Sequence, residues 1–121
     1  MIKKTVKDDF LPCVVHLCVG KNYREALSYY IKKTKANVTD YYTPLPGMHA
    51  CLVWDRDTCP GEYLMWLETK DLVLLAHEIN HLVFRQFEIS GIEISQLMHE
   101  VYAYYYDLWF YKLATAMGAK L

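Results

Sequence analysis

Asp71–Ser90 reads DLVLLAHEINHLVFRQFEIS, and within it His77, Glu78 and His81 form an H-E-x-x-H. Residues four apart on an α-helix differ by only about 40° around the axis, so the two imidazoles project together. Leu72, Leu75, Ile79, Leu82 and Val83 make one apolar stripe, with Leu74 and Phe84 near the histidine face. That spacing predicts a buried amphipathic helix. Thr69 or Asp71 supplies a cap at its start, and Gly91 a stop at its end. Histidines four apart are often satisfied core polars, but two of them on a buried helix need partners, and a metal suits both. Neutral imidazoles on one rigid turn supply two of the three protein ligands of a catalytic zinc site. Glu78 falls on the flank of that face, where a carboxylate reaches water beside the metal without binding the metal itself.

Catalytic zinc takes a third protein ligand and keeps a position open. A later helical stretch, Ser95 to about Met117, offers His99 and Glu100 side by side. They lie about 100° apart around the axis, so only one can face the metal. Glu100 shares its face with Ala103, Tyr104 and Asp107. A small residue such as Ala103 lets two helices approach, which favours Glu100 as the ligand.

The rest of the chain arranges itself around these two helices. Met1–Asp9 is charged and reads as a frayed end or an edge. Phe10–Gly20 is rich in valine and closes on glycine, as a strand does. Asn22–Ala36 is an amphipathic helix capped by Asn22, and Asn37–Gly47, with two prolines, is a loop. Met48–Trp54 and Glu62–Thr69 read as strands joined through a turn that holds Asp55, Asp57, Pro60 and Gly61. The order strand, helix, hairpin, helix, helix predicts one α+β domain over residues 1–121, a short sheet packed against the H-E-x-x-H helix and a C-terminal helix.

Composition narrows the function classes. Over 121 residues the formal net charge is −1, with no basic block. That argues against a nucleic-acid footprint and against polybasic membrane attachment. Asp107 and Lys112 interrupt the apolar C-terminal stretch, so no membrane span is expected. Cys13, Cys18, Cys51 and Cys59 contain no C-x-x-C, and Asp8 and Asp9 precede an apolar run that no cleavage site follows. Free thiols in a reducing, cytoplasmic setting are the expectation.

The spacing of the H-E-x-x-H and the later Glu100 resembles the gluzincin metallopeptidases. The length resembles their smallest members, the minigluzincins, and small metallopeptidases encoded by phages. Ala76–Val83, AHEINHLV, and the E-x-x-A-Y of Glu100–Tyr104 carry the resemblance. It covers Met48 to the C-terminus, and the earlier residues only in their strand–helix order. It implies zinc bound by His77, His81 and Glu100, with Glu78 as general base. It also implies that Met48–Trp54 or Glu62–Thr69 is the edge strand lining the cleft. Larger gluzincins place an Asp one turn after the ligand Glu, where this chain has Tyr104; Asp107, seven residues on from Glu100, is the candidate substitute, with a plain surface role as the alternative. The resemblance implies no counterpart within residues 1–121 of the C-terminal subdomain that completes the cleft in larger members. Tyr102, Tyr104, Tyr105 and His49 are candidates for stabilising the transition state.

The expected chemistry is zinc-dependent hydrolysis of a peptide bond in a peptide or protein substrate. The alternative is a zinc-stabilised scaffold without activity. Tyrosines between Tyr102 and Tyr111, with Tyr41 and Tyr42, would serve a homo-oligomer or partner interface as readily as a cleft.

Overall fold

A computed structural model of the protein describes residues 1–8, 10–38 and 46–120. The chain folds as β1 (Ile2–Asp8), β2 (Cys13–Val19), α1 (Tyr23–Thr34), β3 (Ala50–Trp54), β4 (Glu62–Leu67), α2 (Leu72–Ile89) and α3 (His99–Ala116). A 3-10 turn, Gln96–Met98, leads into α3. Among the described residues the architecture is α+β, with a four-stranded mixed sheet and three helices. Tyr41 and Tyr42 lie outside the described residues.

The strands order as β1-β2-β4-β3. β1 pairs antiparallel with β2, β2 parallel with β4, and β3 antiparallel with β4. The charged N-terminus is therefore an ordered edge strand, adding a strand to the predicted order. Its register runs from Ile2 opposite Val19 to Asp8 opposite Cys13. The second strand is shorter at its start than Phe10–Gly20. The Asp8 carboxylate accepts the backbone N–H of Phe10 and Leu11 at 3.1 and 3.3 Å, bending the chain into a turn before Pro12, which has no N–H to donate to a ladder.

Side-chain alternation divides the core in two. Val15, Leu17 and Val19 of β2 and Tyr63, Met65 and Leu67 of β4 face α2 and α3, where they meet Leu75, Ile79, Leu82, Val83 and Phe87. Cys18 of β2 and Leu64 and Trp66 of β4 face α1, against Tyr23, Ala26 and Tyr30. Both faces of the central strands are covered, which is why β2 and β4 read as near-continuous apolar runs rather than alternating ones. No helix among the described residues is long and apolar enough to cross a membrane.

The helix ends follow the predicted signals. The Asn22 side chain accepts from Glu25 N–H, and the Asp71 side chain from Val73 and Leu74 N–H. At the end of α2, Ile92 N–H donates to Phe87 O and Gly91 N–H to Glu88 O, with Gly91 at φ +71°. That pattern is a Schellman stop, and it needs a residue free to adopt positive φ. The last helix begins at His99 rather than Ser95, because Ser95 opens the 3-10 turn instead.

Candidate functional site

α2 is buried on one side only. Leu75, Ile79, Leu82 and Val83 are fully buried, whereas Leu72, Val73 and Phe84 are exposed, as are His77 and His81. The expectation that the histidines sit on a buried helix is corrected here: their face opens on a groove between α2 and β3. β3 lies at the edge of the sheet and β4 inside it, so of the two strands expected as the edge strand only β3 is one. The groove encloses about 540 Å³ and is lined by His77, Glu78 and His81 from α2 and by residues from Gly47 to Leu52 with Trp54.

His77 Nε2 and His81 Nε2 are 3.2 Å apart, with the rings at 76° to one another. Either one ring donates its N–H to the other, or both present lone pairs to a single cation. Two nitrogens held 2.0–2.1 Å from a tetrahedral zinc lie about 3.3 Å from each other, so the pair fits that ion. Glu78 is buried beside them, and burial pushes its carboxyl above the usual range, with His77 opposing the shift.

Tyrosines of α3 grip this turn of α2 from behind. Tyr106 OH donates to Ala76 O at 2.9 Å, and Tyr102 OH to Asn80 Oδ1 at 2.8 Å. These bonds hold the turn carrying both histidines against α3. Tyr106 carries no signal in the sequence, because nothing in its spacing sets it apart from the six other aromatics between Tyr102 and Tyr111.

The structure does not bring every predicted residue to this place. Tyr102 and Tyr106 bond to α2, and Tyr105 and Trp109 are buried in the core beneath it. With about 100° per residue, that inward face leaves Glu100 on the opposite side. Glu100, Ala103, Tyr104 and Asp107 are all exposed. The packing argument from Ala103 is thereby corrected: bulky tyrosines, not a small residue, make the helix contact. His99 is exposed as well. No three His, Cys, Asp or Glu side chains converge in metal-binding geometry among the described residues. His49 does line the groove, its Nδ1 paired with the Glu68 carboxylate, while Tyr104 and Asp107 do not line it.

The four cysteines are free. Burial pushes the Cys18 thiol up to about 12, and burial with the nearby Glu78 charge does the same for Cys51. Such thiols stay protonated and unreactive at neutral pH. Compared with known proteins, the chain matches no family model, no curated protein and no solved structure.

Proposed function

We propose that the groove between α2 and β3 is the active site of a zinc-dependent peptidase of gluzincin type. The observation that carries this reading is the facing pair of imidazole nitrogens, 3.2 Å apart, at the wall of a groove that also receives Glu78. His77 and His81 would hold the ion, and the first turn of α3 is the source of a third ligand. Glu100 is the residue proposed for that role from its spacing, although the phase of α3 turns it outward and places His99 nearer the inward side. When bound, zinc would acidify a water and polarise a carbonyl.

The protein's own groups account for the remaining steps. β3, an edge strand of the sheet among the described residues, would offer backbone N–H and C=O groups to an extended peptide lying along the groove. Glu78 would take a proton from water entering the groove and return it to the departing amine. Tyr102 and Tyr106 fix the helix turn that carries the histidines, so they act by position.

The second reading, a zinc-stabilised scaffold, draws on the lack of a third convergent donor among the described residues and on the exposed Phe10, Tyr104 and Leu108. One experiment separates the two. Parent and Glu78→Gln are assayed for zinc content and for digestion of a peptide library. The peptidase reading expects equal zinc and a loss of cleavage by roughly 10²–10⁴-fold in the variant. Zinc-loaded parent that cleaves nothing supports the scaffold, and parent without zinc removes both readings.

A further inference from the structure

His77, His81 and Arg85 stand at i, i+4 and i+8 on α2, so one stripe carries the histidines and then a guanidinium about 6 Å further along the axis. Beside Arg85, Trp54 lines both the groove and a second cavity of about 210 Å³. Trp54, Arg56, Pro60, Gly61, Tyr63 and Arg85 line it. The Arg85 guanidinium lies 5.1 Å from the centre of the Trp54 ring, and its side chain is only 17% exposed. Tyr63 is held by donation of its hydroxyl to Gln86 Oε1 at 2.5 Å. Gly61 closes the floor against the backbone, since a Cβ there would stand 2.6 Å from Pro12 O.

The charges in this cavity are unequally engaged. Asp55 also lines it, but backbone N–H groups occupy its carboxylate: Asn37 at 2.6 Å on Oδ2, Asp57 and Thr58 at 3.3 and 3.4 Å on Oδ1. Glu88 pairs with Arg85 from the solvent side, and its own side chain is 56% exposed. A guanidinium has five N–H donors in a planar fork, so one exposed carboxylate does not exhaust Arg85. Arg56 adds a second cation from the turn between β3 and β4.

We infer that this cavity is a carboxylate-binding subsite at one end of the groove, in which Arg56 and Arg85 select peptides bearing an acidic side chain or a free C-terminus one or two residues from the histidine pair. The inference rests on the peptidase reading for its substrate class, but the cavity can be tested without catalysis. In the bound state a carboxylate takes the place of Glu88 on Arg85, against the Trp54 ring, and Arg56 closes over it from the turn. Charge-assisted, bidentate pairing in a partly desolvated site makes this position selective rather than merely attractive.

Binding of labelled hexapeptides to chelator-treated protein, read by fluorescence anisotropy, provides the test. One peptide carries a single Glu and an amidated C-terminus, one carries Gln and is amidated, and one carries Gln with a free C-terminus. A carboxylate-bearing peptide should bind about tenfold more tightly than the amidated Gln peptide, and comparing the two acids shows which source the subsite takes. Arg85→Gln and the exposed Arg56→Gln should each erase most of that preference, and added salt should shrink it. Glu88→Gln should enlarge it, because the internal competitor is gone. Equal or absent binding of all three peptides overturns the subsite, as does a preference that survives both arginine changes. The peptidase reading fails separately. Preference without zinc binding or cleavage removes the peptidase alone, and zinc-dependent cleavage blind to carboxylates removes the subsite alone.

Discussion

Two histidine sites on opposite faces of the sheet show how the same side chain is closed in one place and left open in another. His16 of β2 is buried, and both ring nitrogens have partners: Nδ1 with Thr5 Oγ1 at 3.2 Å and Nε2 with Glu62 Oε1 at 3.4 Å. Glu62 as carboxylate can only accept, so Nε2 carries the proton, Nδ1 accepts from Thr5, and the neutral ring is satisfied. Tyr29 and Tyr30 flank it, with ring centres 6.3 and 5.9 Å away and steeply inclined to its plane. His77 and His81 are exposed, and their ring nitrogens face each other on one wall of the groove. A closed histidine contributes to folding. An open pair has coordination to spare, and only such a pair can serve a ligand.

The largest effect that would break this contrast concerns metal affinity. Zinc binding at protein sites is worth about 10–16 kcal/mol, or some 3–4 kcal/mol per ligand. His77→Ala or His81→Ala should therefore weaken zinc by several hundredfold in a competition titration, with little change in the stability of the metal-free protein. Unchanged affinity in both variants would dissolve the distinction. Glu100→Ala and His99→Ala, measured alongside, identify the third ligand: the variant that loses affinity names it.

Next in size is the cost of opening the closed site. His16→Ala removes a buried ring and leaves Thr5 and Glu62 without their shared partner. A cavity and two lost hydrogen bonds together should cost about 2–3 kcal/mol in denaturant unfolding. Zinc affinity should not move, since His16 lies on the far side of the sheet from α2. A coupled loss of zinc would mean that the two sites communicate through β2 and β4.

How far the sequence carries this contrast depends on which interactions are local. The H-E-x-x-H, its helix, the Asp71 cap and the Gly91 stop are all local, and all are legible in the order of residues alone. The β3–β4 hairpin is legible for the same reason, from two short apolar runs and the turn residues between them. Ile2–Asp8 is legible only as a choice between a frayed end and an edge, because five of its seven residues are polar or charged and it becomes a strand only by pairing with β2. Partners across the sheet are equally silent: Thr5, His16 and Glu62 are 11 and 46 positions apart. The phase of α3 misleads because tyrosine buries a ring while keeping its hydroxyl bonded. A stretch with four tyrosines and a tryptophan therefore offers several faces that could pack, and Ala103 falls on one that does not. Arg85, by contrast, is within reach of pattern reading, one helical turn beyond His81 on the same stripe.

The smallest effect sharpens the comparison through pH. Burial holds the His16 imidazole below its ordinary value, partly offset by Glu62, while Lys33 of α1 and Lys7 of β1 add to the depression. In the unfolded chain the same ring titrates near 6.5. Between the folded and the unfolded value the unfolded state binds the extra proton, so stability rises with pH across that window and falls as pH is lowered through it. The loss begins just below about 6.5 and ends once the pH is under the folded value, where both states are protonated. His16→Gln retains a donor for Glu62 and an acceptor for Thr5 without a titrating group. Subtracting its unfolding free energy from the parent's at each pH cancels the carboxylates and the exposed histidines, which both proteins share. The difference should slope in the parent's disfavour on acidification below about 6.5 and be flat above it. A difference that is flat throughout would place His16 in water-like surroundings, and the closed half of the comparison would be lost.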